Sequence, residues 1–436
     1  MRLFPLAVVL GFACITCHSV KASPPVKAQI AIHFSQSISR IEGLGGNFAQ
    51  GYIGNLSTEN DIIGTQCLKD LHPVIARIGL PMAVWRPTAK HTYHIEGAAL
   101  GVMQLMQTMH SKHVPVILTI WNAPNWMVSN PNASNQRLLK PDKISSFEKA
   151  IVDFVVTARK DYNAPVKYLS FNEADGGYSL LFTPEQEGEM IAAISKKLSE
   201  HGLQVRWLAG DTSNGSTVAQ YASSVLQQVN ALPYLGPIAF HSWGGLQAPL
   251  AQYKAIAAMH SEYHRPIWCT EVGVDPSAWK DNPPVWPSWK YAFQLAEIYY
   301  RVFVIAHASV ACYWEYQNDY PLMSSAGEKY PSFVIIKELS SNLTHGSRLV
   351  KSSSTDSSLL VMATRNTVKN SWMVEVINTG GNEVVTVSGL HGIIEQSKVL
   401  TQAGNVKDSN PDAVMKSFNL SLPADSVAFL SGKLHK

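Results

Sequence analysis

The feature that most constrains the fold is a repeated alternation of short apolar runs with longer stretches of helical periodicity. We count eight such pairs in succession. The strand-like runs are Arg40–Phe48, Val74–Leu80, Val114–Trp121, Val166–Phe171, Val205–Gly210, Pro237–His241, Pro266–Glu271 and Ser309–Glu315. Several runs are apolar throughout, which is typical of parallel strands covered on both faces. Eight strand–helix pairs in order predict a (β/α)8 TIM barrel over residues 40–344.

The helical stretches carry recognisable start and stop signals. The clearest patterns cover Ile144–Tyr162 and Pro184–His201. Thr183 is suited to capping the second helix, Pro184 fits its first turn, and Gly202 fits its end. A doubly wound open sheet is the alternative, but no Gly-x-Gly-x-x-Gly phosphate loop follows an early strand. The glycines of residues 43–46 have the wrong spacing for such a loop and fit a bulged strand end better.

The pattern changes after about residue 345. Serine- and threonine-rich turns now separate short strands, at Leu359–Ala363, Trp372–Asn378, Val384–Ser388 and Ser426–Leu430. The segment Ala28–Phe34 also alternates, and we expect it to join these strands. Residues 23–39 and 345–436 are therefore predicted to form an antiparallel β-sandwich appended to the barrel.

The N-terminus and the composition bear on location and partners. Arg2, the apolar run Leu3–Thr16 and the segment Val20–Ala22 fit a signal peptide over residues 1–22, which predicts a secreted or extracytoplasmic protein. A buried N-terminal strand is disfavoured by the prolines that follow, and a lipoprotein signal fits poorly. A net charge of +3 without a basic run gives no support for a nucleic-acid partner. No later apolar stretch is long enough for a membrane span.

Three cysteines follow the predicted signal peptide: Cys67, Cys269 and Cys312. They are far apart in sequence, so they do not have the spacing of a metal site. We expect buried, mostly free thiols, no bound metal and a monomeric chain.

Two glutamates stand where apolar strands end. One predicted strand ends in Leu169–Glu173 and another in Trp268–Glu271. In a TIM barrel, the reactive groups lie at the carboxyl ends of the strands. Cleavage of a glycosidic bond uses two carboxyl groups, one to protonate the leaving oxygen and one to attack the anomeric carbon. We predict Glu173 as the general acid/base and Glu271 as the nucleophile, although either one alone would read as a solvated loop residue.

Further polar and aromatic residues near strand ends are candidates for substrate binding. Asn172 is suited to bonding the sugar 2-hydroxyl, and His241 to orienting the nucleophile. Arg77 lies in an apolar run and needs a carboxylate partner, for which Glu271 is the natural candidate. A structural ion pair and a structural histidine are the alternatives. Four tryptophans are candidates for stacking on sugar rings or for packing: Trp121, Trp126, Trp243 and Trp314.

These motifs resemble glycoside hydrolase clan A, and within it glycoside hydrolase family 30. Asn172-Glu173 and Thr270-Glu271 carry the resemblance to the clan. The segments Ile41–Phe48, Trp121–Met127 and Leu422–Val427 are similar to motifs of family 30 on the first strand, the third strand and the side sandwich. The resemblance implies a retaining β-glycosidase that acts on carbohydrate without a cofactor.

Two departures from the family pattern bear on the substrate. Ala174 replaces the usual proline after the acid/base glutamate, and Leu44 replaces an aromatic residue. The segment Tyr316–Pro331 has one lysine and no arginine, which disfavours recognition of a uronic acid there. Glucan, xylan, galactan or a glycolipid headgroup remain open as substrates. A non-catalytic carbohydrate-binding barrel, or a related clan A enzyme such as a β-glucuronidase or β-xylosidase, is the competing interpretation.

Overall fold

The computed structural model of the protein describes residues 27–48, 58–90, 93–316, 319–390, 392–409 and 413–434. The predicted signal peptide, residues 1–22, lies outside them. In the described ranges, no helix has the length and apolar character needed to cross a membrane.

The central sheet is a closed barrel of parallel strands, as the sequence predicts. Its strands are β2 (Gly43–Phe48), β3 (Ala76–Gly79), β4 (Val116–Ile120), β5 (Tyr168–Phe171), β6 (Arg206–Thr212), β7 (Leu235–His241), β8 (Ile267–Val272) and β9 (Val310–Tyr313). Every residue of β4 is buried, because the barrel interior covers one face and helices cover the other. This burial explains why the strands read as continuous apolar runs.

Helices follow the barrel strands in turn. They are α1 (Thr58–Leu71), α2 (Met82–Trp85), α3 (Gly97–Ser111), α4 (Ile144–Tyr162), α5 (Pro184–Glu200), α6 (Val218–Leu226), α7 (Leu250–Tyr263), α8 (Trp289–Tyr300) and α9 (Pro331–Asn342). Short 3-10 turns cover Asn125–Met127, Pro141–Lys143, Leu232–Tyr234 and Ala278–Lys280, and a π-helical turn covers Arg301–Ile305. At the start of α5, Thr183 and Gln186 form a reciprocal capping box, so the predicted cap is confirmed.

The second unit is a β-sandwich, which confirms the predicted fold class. Its strands are β1 (Lys27–Ile41), β10 (Ser347–Ser354), β11 (Leu359–Asn366), β12 (Ser371–Asn378), β13 (Glu383–Ser388), β14 (Gly392–Thr401), β15 (Gly404–Ser409), β16 (Ala413–Val414), β17 (Ser417–Leu422) and β18 (Ser426–Leu434). All pairings among these described strands are antiparallel except one, because β1 runs parallel to β13. The expected crossover of the N-terminal segment is therefore present.

Two local expectations about the first barrel strand need correction. Arg40 and Ile41 end β1 of the sandwich, since they pair antiparallel with Arg348 and Ser347 on β10. The glycine-rich segment is a regular barrel strand rather than a bulged end. Its glycines serve close packing: a Cβ on Gly46 would lie 2.3 Å from a carbon of the ring of buried Tyr316.

Strand β12 joins the two hydrophobic cores. Trp372 and Val374 pack in the sandwich core, whereas Met373 and Ile377 pack with the core of the barrel. Glu375 lies between the latter two along the strand and is fully buried, and neither of its carboxyl oxygens has a hydrogen-bond partner among the described residues. Burial raises the pKa of Glu375 to about 8. An isolated carboxyl group is thus part of the barrel-facing side of this strand.

Candidate active site

A buried arginine on β3 organises the carboxyl end of the barrel. Nη1 of Arg77 donates to Oδ1 of Asn47 at 3.0 Å and to Oε1 of Glu271 at 2.6 Å. Nη2 donates to Oδ1 of Asn172 at 2.5 Å and to Oδ2 of Asp211 at 3.0 Å. These partners come from β2, β6, β8 and the end of β5. One planar guanidinium therefore fixes the relative positions of four strand ends.

His241, at the end of β7, lies between the two predicted catalytic glutamates. Its Nδ1 is 2.9 Å from Oε1 of Glu173 and 3.2 Å from Oε2 of Glu271. Its Nε2 is 3.4 Å from Oδ1 of Asp211. Burial would lower the pKa of His241, but the negative charges of these carboxylates outweigh it and raise the pKa to about 10. The imidazole is therefore a cation at neutral pH.

Burial and neighbouring charges shift the pKa values of the other ionisable groups of the cluster in opposite directions. Burial raises the pKa of Glu271, while the charges of His241 and Arg77 act to lower it. Burial would also raise the pKa of Asp211, yet the charge of Arg77 and contacts with His241 hold it well below its usual range. Burial would lower the pKa of Arg77, and its two carboxylate neighbours reverse that effect. Asp211 is therefore a fixed anion.

The two glutamates are close enough to act on one sugar ring. A carboxylate oxygen of Glu173 and one of Glu271 lie within 4.8 Å of each other. Glu173 lies in the turn that follows β5 and has a φ of 46°. A left-handed backbone is unusual for a residue other than glycine, and such conformations cluster at functional sites. The backbone N–H of Glu173 donates to the carbonyl of Asp211 at 3.0 Å, which holds this turn against β6.

The four candidate tryptophans do not share one role. Nε1 of Trp243 donates to Oε2 of Glu271 at 3.0 Å, and its ring packs edge-on against Trp314 with centroids 6.4 Å apart. Trp121 is buried, and the guanidinium of Arg77 lies 4.5 Å from its ring centroid, so one face is already covered. Trp126 contacts Arg86 instead of the glutamates, donating to its carbonyl oxygen at 3.1 Å.

Three polar residues of the cluster were missed by the sequence analysis. Asp211 lies one residue beyond the predicted strand end at Gly210, because β6 continues to Thr212. Asn47 and Thr270 appear in the sequence only as parts of the resembling motifs. Nδ2 of Asn47 donates to two strand carbonyls, and the Thr270 hydroxyl donates to Asp211. The sequence signal for Asp211 is its position as a polar residue at the end of an apolar strand.

An open cleft leads away from the cluster. It has a volume of about 960 Å³ and borders the loops after β4, β5, β6 and β7. Glu173 and Trp243 line its inner end. Nδ2 of Asn172, by contrast, is buried and has no hydrogen-bond partner in the described ranges. A sugar hydroxyl is the kind of group that would satisfy it.

The same cluster has the spacing of a possible cation site. Donor atoms of Glu173, His241 and Glu271 all lie within 4.8 Å of one another. The guanidinium of Arg77, however, already pairs with Glu271 at 2.6 Å and places a positive charge beside these donors. The donor set therefore favours ion pairing over metal binding.

Comparison with known proteins supports the fold. No protein-family model and no curated protein sequence matches the chain. Among solved structures, a GH30 endoxylanase from Clostridium papyrosolvens C71 matches with a TM-score of 0.74 at 16% identity, covering 93% of this chain and 100% of that one. An endo-β-1,6-glucanase matches with a TM-score of 0.65 at 15% identity, covering 94% of each chain.

A GH39 β-xylosidase from Caulobacter crescentus also matches nearly the whole chain. Its TM-score is 0.62 at 13% identity, covering 94% of this chain and 100% of that one. Both domains are thus present in enzymes of two related families. The chain thus shares with these enzymes the fold of a TIM barrel with an appended β-sandwich, and its structural neighbours include family 30 xylanases and glucanases and family 39 enzymes.

Proposed function

We propose that the protein is a retaining β-glycosidase that hydrolyses a β-linked carbohydrate, with Glu271 as nucleophile and Glu173 as general acid/base. The observation that carries this proposal is the short separation of the two carboxyl groups, with oxygens within 4.8 Å. Retaining enzymes hold the two groups about 5–5.5 Å apart, whereas inverting enzymes separate them by about 6.5–9.5 Å to admit a water molecule.

In the first step, a carboxylate oxygen of Glu271 attacks the anomeric carbon. The bond from that carbon to the leaving oxygen breaks, and the proton of Glu173 moves to the leaving oxygen. Arg77, Trp243 and His241 each direct a donor at the Glu271 carboxylate, which orients it for attack. The amide nitrogen of Asn172, which has no partner in the described ranges, can donate to the neighbouring sugar hydroxyl.

In the second step, water attacks the anomeric carbon of the glycosyl-enzyme. Glu173, now a carboxylate, takes the proton from this water, and the bond to Glu271 breaks. While Glu173 carries its proton, the cations Arg77 and His241 balance the anions Glu271 and Asp211. The resting site is then neutral overall, which limits the cost of burying its charges.

The test is hydrolysis of a panel of aryl β-glycosides by the wild type and by Glu271→Gln. We expect hydrolysis by the wild type and a loss of at least 1,000-fold in the variant, on the order of what removal of a nucleophile costs. NMR of the first-formed product should show the β-anomer. Equal rates, or an initial α-anomer, would contradict the proposal, and binding without hydrolysis would favour the non-catalytic barrel.

The acid/base role is tested separately with Glu173→Gln. Aryl groups that leave easily need little protonation, so formation of the glycosyl-enzyme should suffer least for them. A steeper dependence of the rate on leaving-group acidity is expected in the variant. Identical losses for all leaving groups would assign Glu173 another role.

A secreted location also forms part of the proposal, and it is supported by the pattern of residues 1–22. Mass spectrometry of protein recovered outside the cytoplasm should show a chain beginning after Ala22. Recovery of the uncut chain only from the cytoplasm would oppose it.

A further inference from the structure

The leaving-group side of the site can be identified from the two glutamates. The open cleft next to the cluster is lined by Glu173 but not by Glu271. In a retaining glycosidase the acid protonates the leaving oxygen, so a cleft bordered by the acid extends from the bond toward the leaving group. We call this space the leaving-group cleft; its assignment rests on the function proposed above.

The chemistry of the leaving-group cleft is polar but nearly uncharged. Its lining includes five carboxamides, from Asn132, Asn135, Gln136, Asn214 and Gln252. Among its described lining residues there is no lysine or arginine, and Glu173 is the sole carboxylate. Carboxamides both donate and accept hydrogen bonds, which suits sugar hydroxyls. The absence of a cation in this lining disfavours uronates, and the polarity disfavours a lipid tail.

Two aromatic rings that line the cleft are at least partly exposed. Trp243 lies beside the glutamates, and Tyr178 lines the loop after β5 with 50% of its surface exposed. Exposed aromatic rings with a polar tip are suited to contact with the apolar face of a sugar and with its hydroxyls. Tyr178 is therefore the natural platform for a sugar beyond the scissile bond.

The cleft wall is held by specific contacts. The carboxylate of Asp175 accepts bonds from the backbone N–H of Ser213 at 2.9 Å and from the hydroxyl of Thr217 at 2.5 Å. The backbone N–H of Gln136 donates to the carbonyl of Gly177 at 2.6 Å. Gly177 has a φ of +68°, and a Cβ there would lie 3.0–3.1 Å from atoms of Gln136. The loops after β4, β5 and β6 are thus joined into one surface.

We propose that the leaving-group cleft binds uncharged sugar units, so that the protein acts on neutral β-linked oligo- or polysaccharides rather than on glycolipids or uronate-containing chains. The segment that forms the wall, residues 174–178, is also where the sequence departs from the family pattern. This departure therefore sets what the enzyme accepts as leaving group.

The test uses two substrates with the same glycone, and this glycone is chosen from those of the aryl glycoside panel. One carries a nitrophenyl leaving group and the other a neutral disaccharide. Tyr178→Ala should lower kcat/KM for the second substrate about tenfold, which is typical of a lost aromatic or hydrogen-bonded contact, and change the first less than about twofold. Tyr178→Phe should keep most of the activity, and Trp279→Ala, which removes an equally exposed ring outside the cleft, should change neither.

The outcomes separate this inference from the proposed function. Equal losses on both substrates, no loss on either, or better hydrolysis of a uronate-containing leaving group would overturn the cleft assignment alone. If wild type hydrolyses neither substrate, the proposed function has failed. In that case, calorimetric titration with a neutral tetrasaccharide and with an oligouronide tests the cleft assignment by binding alone. Binding of the neutral sugar that is weakened by Tyr178→Ala would support the assignment. Absence of such binding would overturn it.

Discussion

Arg77 shows how much of the site depends on one side chain. Its two terminal nitrogens serve two amides and two carboxylates, and its face covers an indole. Lysine carries the same charge but offers a point charge on a flexible stem, so it cannot hold four partners in one plane. The geometry of the guanidinium, more than its charge, keeps the nucleophile in position.

Arg77→Lys should therefore lower kcat/KM for aryl glycosides about 100-fold, the order expected when charge-assisted bonds to Glu271 are lost or misaligned. Steady-state kinetics will measure this. Arg348→Lys, at an exposed position on β10, is the matched control and should have no effect. Activity within a few-fold of wild type would show that charge alone suffices.

His241 gives a prediction about pH. Its pKa is raised to about 10 in the fold, whereas an unperturbed histidine titrates near 6.5. The protonated imidazole thus adds stability that is complete below pH 6.5 and is lost as pH rises through about 10. The Tm difference between wild type and His241→Gln should be largest at pH 6 and shrink toward pH 10. A constant difference over this range would show that His241 is not the cation described.

At the scale of elements, side-chain hydrogen bonds, rather than further strands or helices, join the loops that follow β5 and β6. Asp175 receives the N–H and hydroxyl of Ser213 and the hydroxyl of Thr217, which connects the loop after β5 to the start of α6. A charged acceptor with three donors is a strong local restraint even where it is partly exposed. The shape of the leaving-group cleft follows from this connection.

Asp175→Ala should lower the free energy of unfolding by about 1–3 kcal/mol, the cost of bonds to a charged group. Asp175→Asn keeps one acceptor oxygen and should lose less. Urea denaturation followed by tryptophan fluorescence will give both values. If the alanine variant is as stable as wild type, the loops are held by other contacts.

The sequence predicts the elements better than their side-chain contacts. Burial on both faces makes the barrel strands apolar, so their positions are visible in the sequence. The pairing of Arg77 with Glu271 follows equally from chemistry, since a buried arginine requires an anion. Asp211 was missed because it follows the apolar run. The contact of Trp126 with Arg86 could not be predicted, because closeness to a strand end does not fix where a ring points. The 4.8 Å separation depends on the stagger of the closed barrel, which no local pattern encodes.

At the scale of the whole molecule, the barrel and the sandwich share β12 as a common element. Its two faces belong to different hydrophobic cores. Glu375 is buried on the barrel-facing side, where no group in the described part of the chain bonds its carboxyl oxygens. A buried carboxyl group without a partner is costly once it ionises. Ionisation of Glu375 therefore lowers the stability of the barrel-facing side of β12 as pH rises.

The pKa of Glu375 is about 8 in the fold, against an ordinary value of 4.5. The folded state holds this proton more tightly, so stability is complete below pH 4.5 and is lost as pH rises through about 8. Glu375→Met removes the charge at similar length. It should raise stability by about 1–2 kcal/mol at pH 8 and less at pH 4.5. Denaturation curves at both values will measure this, and parallel pH profiles for the two proteins would contradict it.

The N-terminal strand has a consequence for biosynthesis. Gln29 on β1 bonds the side chain of Thr355, which lies 326 residues later, and β1 completes a sheet whose other strands all follow the barrel. While the ribosome is still making the barrel, β1 has no strand to pair with and its alternating apolar face stays open. Among the described elements, β1 is the first to be made and among the last to be completed, so the nascent chain must be kept from aggregating until β10 and β13 have been made.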